Sequence, residues 1–450
     1  MKEWKIMRSK WVAIFMIVVL VALPGIFTLM ISPDAQAKAA STIMTTQSWR
    51  ASFSQPLKNV TDEYVYVTDE SGKKVTATIT LGEDKKSLFV SNLPAGSYRL
   101  HVQKEAFAYS TLKATSHDIA FTVIDKIEAV KSEKELQQYF EAVVANGNRG
   151  PEINVLEDSA SSSKDSAPVA DNSSTTNNQV EGVEEGDIVV VKDGFIYAIK
   201  DQSITVVDAN NPQDLKLATT IKQKESQYIT KLALYDQLLI AIGEEYIEQA
   251  GTSMSTATFY DISNPKNPKV IREVAQEGSL QDIRITNDTL YLIGNMHPNY
   301  WILREDSKPD LKPKTYDSVV SKEYKSLAIE KISILPNTMD GSYSLITAID
   351  LKNGAKTSAS TKGYLGGSSG LYMSEDALYL TTPKYDDKQI TPMGGIKDRI
   401  WMPQSNDTQV FKWDLDGTVL KFVGTSEVKG TVLNQYSMDE YDGKFRIVTT

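Results

Sequence analysis

The chain has 450 residues, 41% hydrophobic and 24% charged, an ordinary globular composition rather than that of a collagen, a coiled coil or a fully disordered chain. Lys and Arg number 48 against 58 Asp and Glu, a net charge of −10 with no basic stripe to compensate, which argues against nucleic acid as a partner. With no Cys, disulfides, a thiolate nucleophile, Cys-ligated zinc and iron–sulfur clusters are excluded, and three His leave little for a His-rich metal site or a His-based triad.

At the N-terminus Lys2, Lys5, Arg8 and Lys10 precede an uncharged apolar run over residues 11–31, and SPDAQAKAAS follows. That order is the pattern of a secretory signal, with Ala35-Gln36-Ala37 or Ala37-Lys38-Ala39 as the small-residue cleavage site. The run reaches the roughly 18 or more residues of a spanning helix. Pro24 and Gly25 interrupt it near its end, which suits a signal better than an anchor. A cleaved signal peptide over residues 1–37 is expected. The alternative is a retained anchor, with membrane contact only through residues 11–31. Both place everything after residue 40 outside the cytoplasm, because the positive flank stays inside. No Cys follows the run, so a lipoprotein anchor is excluded.

Residues 41–125 alternate as strands do, in Glu63-Tyr64-Val65-Tyr66-Val67, Thr76–Leu81, Ser87-Leu88-Phe89-Val90 and Ser97–Val102. Turn clusters separate them at Asp69–Gly72, Gly82–Asp84 and Pro94–Gly96, which predicts a β-sandwich. The stretches WRASFSQPL (49–57), YVYVTDESG (64–72) and LPAGSYRLHV (93–102) resemble the bacterial Ig-like domains found beside surface-layer and cell-wall modules. The resemblance implies spacing or adhesion. Without the Cys pair of antibody-type domains, apolar faces alone must hold the sandwich.

Ser132-Glu133-Lys134-Glu135 is a capping box. Leu136, Tyr139, Phe140, Val143 and Val144 then form one apolar face, and Asn146-Gly147 is a stop, so a helix over 131–147 is expected to dock on a flanking domain. Residues 150–178, above all EDSASSSKDSAPVADNSSTTNN, are expected to be a disordered linker.

From residue 179 to 450 one pattern repeats: an acidic or Asn-containing turn, then an apolar strand, at Asp193, Asp236, Asp288, Asp376 and Asp442. A second strand ending in Asp follows the first four, at Asp208, Asp261, Asp350 and Asp414. The marker spacings are 43, 52, 88 and 66, the shortest of them matching a β-propeller blade. Residues 295–342 and 383–407 are expected to be inserted loops on one face. The terminal Asp residues are read as turn caps rather than metal ligands.

Gln179-Val180-Glu181-Gly182-Val183-Glu184-Glu185-Gly186-Asp187-Ile188-Val189, with Asn434–Tyr441 near the end, resembles the family of secreted bacterial proteins with a C-terminal β-propeller, distantly WD40-like. Members tend to carry Asp at the place of Glu184 and Lys at the place of Val190, so any chemistry of that Lys is absent. The resemblance implies fold and compartment and no particular reaction. The expected fold is therefore all-β, with a propeller of about four blades plus one strand, an Ig-like sandwich and one short helix. The count also predicts a truncated product or fragment, or else a small ring in which the last strand completes the first blade.

Chemistry is sparse. Glu181, Glu184 and Asp187 are weak candidates for a hard cation such as Ca²⁺, without EF-hand spacing. Tyr300, Trp301 and Trp401, in the inserted segments, are weak candidates for a binding surface. No phosphate loop or HExxH motif occurs. Two readings follow. One is a non-enzymatic exported module, secreted or at the cell surface, binding an envelope protein or polysaccharide. The other is a propeller hydrolase or lyase using paired carboxylates near the central channel.

Overall fold

A computed structural model describes residues 41–53, 55–108, 116–145, 178–248, 250–299, 309–338, 340–353, 357–385 and 406–450. The signal or anchor expected over 1–37, nearly all of the linker over 150–178, and Tyr300, Trp301 and Trp401 lie outside the described residues. Among the described residues no helix is long and apolar enough to cross a membrane. The chain divides into two units, one up to Val123 and one from Ile124.

The first unit holds two sheets. One runs, in spatial order, Ser41–Met44, His117–Ile124, Gly96–Val102, Val65–Asp69 and Lys74–Val75. The other runs Trp49–Ser52, Ser87–Ser91 and Thr78–Leu81. Alternation puts Val65, Val67, Leu100 and Val102 of one sheet and Leu88 and Val90 of the other into one core. Trp49 and Phe121 tie the sheets, their rings stacked at 4.1 Å and 8°.

The second unit opens on the helix Glu133–Ala145. Ser132 caps it by accepting from the Glu135 amide at 3.2 Å, while the Glu135 carboxylate reaches back to the Lys131 amide at 2.7 Å. Its apolar face packs Leu136 and Phe140 against Ile332, Tyr343 and Leu365 of the third propeller sheet and against Leu327.

Four sheets and a hairpin follow in sequence order. Blade 1 pairs Val189–Lys192, Phe195–Lys200, Ser203–Asp208 and Lys216–Lys222. Blade 2 pairs Gln227–Tyr235, Leu238–Ile247, Thr252–Asp261 and Lys269–Glu277. Blade 3 begins with Ser279–Thr286, Thr289–Met296, Tyr343–Asp350 and Ser360–Leu365. Blade 4 pairs Gly370–Met373, Ala377–Tyr385, Asn406–Asp416 and Val419–Val428. Met438–Tyr441 and Lys444–Ile447 form the hairpin. In each blade the strand first in sequence is an edge of its sheet. Successive sheets bury facing surfaces. Tyr197 and Val206 meet Leu239 and Ala241, Ile240 and Phe259 meet Leu290 and Leu292, and Ile293 and Ile346 meet Leu380 and Trp413. Each such side chain is worth about 1.5–3 kcal/mol when fully buried. This is the all-β propeller expected from the repeats.

The turn markers have a conformational basis. Asp193-Gly194, Asn287-Asp288 and Asp442-Gly443 hold both central residues at positive φ, as tight hairpins between right-twisted strands require. Asp208, Asp261 and Asp350 accept backbone amides of Asn210, Ser263 and Asn353, the turn-capping role expected of them. Three expectations change. The segment 295–342 is not simply a loop. Lys314–Asp317 and Lys325–Ser326 extend blade 2, and Ile332–Ile334 adds to blade 3 in parallel with Ser360–Leu365. Asp414 does not end its strand, which continues to Asp416. The last repeat shows two strands rather than one, paired with each other and not with blade 1.

Candidate functional site at the propeller hub

Residues 178–188, ahead of blade 1, run along the first strands of later blades. Glu184 exchanges both backbone hydrogen bonds with Ile285 of blade 3, at 2.8 and 2.9 Å. Asp187 does the same with Leu232 of blade 2, at 2.9 and 2.6 Å. Gln179 Nε2 donates to the carbonyls of Gln435 and Met438 beside the hairpin, at 2.8 and 3.2 Å. Val183 is 1% exposed and buried with Leu378 and Leu380 of blade 4. One turn makes the path possible: Gly182, at φ +79°, closes a bridge between Val180 and Val183. We call this segment the strap.

Under the strap lies a charged network. Arg284 is 1% exposed. Its Nη1 donates to Asp282 Oδ2 at 2.6 Å and its Nη2 to Gln435 Oε1 at 3.1 Å. Nη2 also lies 3.3 Å from Glu185 Oε1 of the strap. Lys231 of blade 2 completes the network through Asp282 Oδ1 at 2.5 Å. One guanidinium therefore joins the strap, blade 3 and the approach to the hairpin. Burial pushes the Asp282 carboxyl up, but Arg284 and Lys231 outweigh it and hold the carboxyl below its usual range. Glu184 differs. Solvent reaches it, yet surrounding protein strips enough water to push its carboxyl up.

Of the sequence candidates, Glu184 and Asp187 lie on the strap and bond to different blades, while Glu181 is exposed. Among the described residues no three His, Asp or Glu side chains converge closely enough to hold a metal, so these three are not brought together as a ligand set. Lys231, Asp282, Arg284 and Gln435 were missed. For Lys231, Asp282 and Arg284 the signal in the sequence is charge inside strands that otherwise alternate apolar residues, K-L-A-L and D-I-R-I, while Gln435, in the short turn Gln435–Ser437, carries no such mark.

The sequence profile of the beta propeller domain family matches residues 173–450. An uncharacterized protein of Methanocaldococcus jannaschii is 23% identical over 352 residues, 66% of this chain and 53% of that protein. The chain thus spans about half the length of the curated relative it matches. Among solved structures, the acylaminoacyl peptidase of Pyrococcus horikoshii aligns at 11% identity over 50% of this chain and 39% of its own, with a TM-score of 0.19 that carries no argument.

Proposed function

The chain belongs to the beta propeller domain family, and on that footing we propose that it is an exported binding module, presenting loops to a protein or polysaccharide of the cell envelope. The observation that carries the reading is the engagement of Arg284 with Asp282, Glu185 and Gln435. Central charges committed to one another lock the strap and two blades into a rigid frame. A rigid frame is what displayed binding loops need. Export rests on the basic flank and apolar run of residues 1–37.

One observation favours a hydrolase or lyase with paired carboxylates, the raised carboxyl of Glu184. The two buried or half-buried carboxylates of the network beside it are already engaged: Glu185 with Arg284, Asp282 with two cations. Paired acid–base chemistry would need a second carboxyl converging on Glu184 and free of cations, and the two in the network are held by cations, so the binding reading is preferred.

The test expresses the chain from residue 1 in a bacterial host and adds protease to intact cells, then sediments the exported protein with isolated envelope polysaccharide and envelope protein. Cleavage outside the cell together with cosedimentation is the expected result. Protection inside the cell, or turnover of an ester or glycoside that Glu184→Gln abolishes, overturns the reading.

A further inference from the structure

The sandwich unit carries a hollow of about 640 Å³ on the outer face of its larger sheet, lined by Tyr66, Thr68, Lys74, Ser97, Arg99 and His101 among others. That volume is in the range that holds small ligands. Strand register places the groups. Tyr66 pairs with His101 and Thr68 with Arg99, and across the next strand His101 pairs with Asp118 and Arg99 with Ala120. Period-two alternation sends all six outward, away from buried Val65, Val67, Leu100 and Val102.

His101 is fixed from several sides. Its Nε2 lies 2.9 Å from Thr68 Oγ1 and its Nδ1 2.7 Å from Asp118 Oδ1. Its ring stacks on Tyr66 at 4.8 Å, and Lys74 Nζ lies 3.8 Å from the Tyr66 ring centre. Arg99, in the middle of this row, is exposed, and its guanidinium has no hydrogen bond or ion pair among the described residues. Of the acids at the hollow, Glu70 is exposed at its rim, while the other two are engaged. Asp118 is held by His101, and Asp69 accepts the amides of Ser71 and Lys73 in its own turn. Ala120, beside Arg99, leaves the fork open to solvent.

A free guanidinium fork binds a carboxylate bidentately. The hydroxyls of Thr68, Ser97 and Thr122 line the same hollow, which fits a hydroxyl-rich frame better than an acidic peptide. We propose that this face binds an acidic glycan, a sugar chain bearing uronic carboxylates. Arg99 takes a carboxylate, and the half-buried hydroxyls of Ser97 and Thr122 on the same face meet ring hydroxyls. The site belongs to the sandwich and stands whether or not the propeller binds a ligand of its own.

The test is calorimetric titration of the full chain with a short oligogalacturonate, with its methyl ester, and with oligoglutamate. Saturable binding to the oligogalacturonate is expected, weakened about tenfold or more by esterification or by Arg99→Gln. Arg99 has no partner to lose among the described residues, so the variant should melt with the wild type, which separates lost binding from lost fold. No saturable binding, equal binding of the ester, unchanged binding by Arg99→Gln, or tighter binding of oligoglutamate overturns the proposal.

Discussion

Lys231 and Asp282 hold the same position in two successive blades and bond each other at 2.5 Å. Each follows a bulged residue, Thr230 in blade 2 and Gln281 in blade 3. Each bulge faces a glycine, Ile229 pairing with Gly243 and Leu280 with Gly294. A bulge inserts one residue and re-aims the side chain after it. One repeat supplies the cation and the next the anion, and the shared bulge turns both toward the strap.

The glycines are accordingly not replaceable at equal cost. A Cβ at Gly243 would lie 1.9 Å from the carbonyl oxygen of Tyr228 and 2.8 Å from the Ile229 Cα, both backbone atoms. At Gly294 the nearest atom is the Ser279 carbonyl oxygen at 2.5 Å. Gly243→Ala should destabilise by about 1–3 kcal/mol or more, and Gly294→Ala by less. Urea unfolding of the two variants checks the order, and an equal loss would count against the bulge argument.

Arg284→Met should be among the most damaging single changes in the propeller. It leaves Glu185 without its cation and Asp282 with Lys231 alone in a largely dry site, a loss of about 3–5 kcal/mol. Adding Asp282→Asn should recover part of it, because the neutral amide no longer needs the cation. A double-mutant cycle on thermal unfolding measures the coupling.

The pH dependence of Glu184 has a definite sign. Its folded pKa is raised above the unfolded value of about 4.3. Well below that value both states are protonated and the group is silent. As pH rises, the unfolded chain ionises first and the folded state loses ground. Glu184→Gln should therefore match the wild type near about pH 3 and gain on it toward about pH 7. Asp282 behaves oppositely. Its folded pKa is lowered, so its contribution is present above the unfolded value of about 3.9 and is lost as pH falls through the folded value. Chemical denaturation at several pH values reads both.

Phe140 is fully buried where the helix meets blade 3. Phe140→Ala should cost about 3–5 kcal/mol, and Ser132→Ala, which removes only the cap, about 1 kcal/mol. Amide exchange across residues 133–145 would show the helix opening ahead of the blades in the first variant and fraying only at its start in the second.

Much of the architecture was legible in the sequence because it is local. A hairpin that needs positive φ at two adjacent residues selects Asp-Gly or Asn-Asp, so the turn at Asp193-Gly194 announces its strands. The cap of Asp208 on Asn210 spans two residues and leaves a visible mark. The hub left fainter signs. Nothing near Arg284 in the chain says that it will meet Gln435, because that contact depends on how four sheets stack. The segment 295–342 was misread for a related reason. Lys325–Ser326 is two residues long and becomes a strand only because Lys314–Asp317 offers it an edge.

The strap also sets the order in which the molecule can be completed. Gln179 bonds the backbone of Gln435, 256 residues later in the chain. Blades that touch only their neighbours can form one after another, each closing a short loop. The strap closes in stages: Asp187 can pair with Leu232 once blade 2 has formed and Glu184 with Ile285 once blade 3 has, but Gln179 must wait for Gln435. That last closure is a contact of very high sequence separation, slow to find and made late. Once made, it couples the opening residues to blades 2, 3 and 4 together, so an array that would otherwise fray from its ends should unfold as one cooperative body.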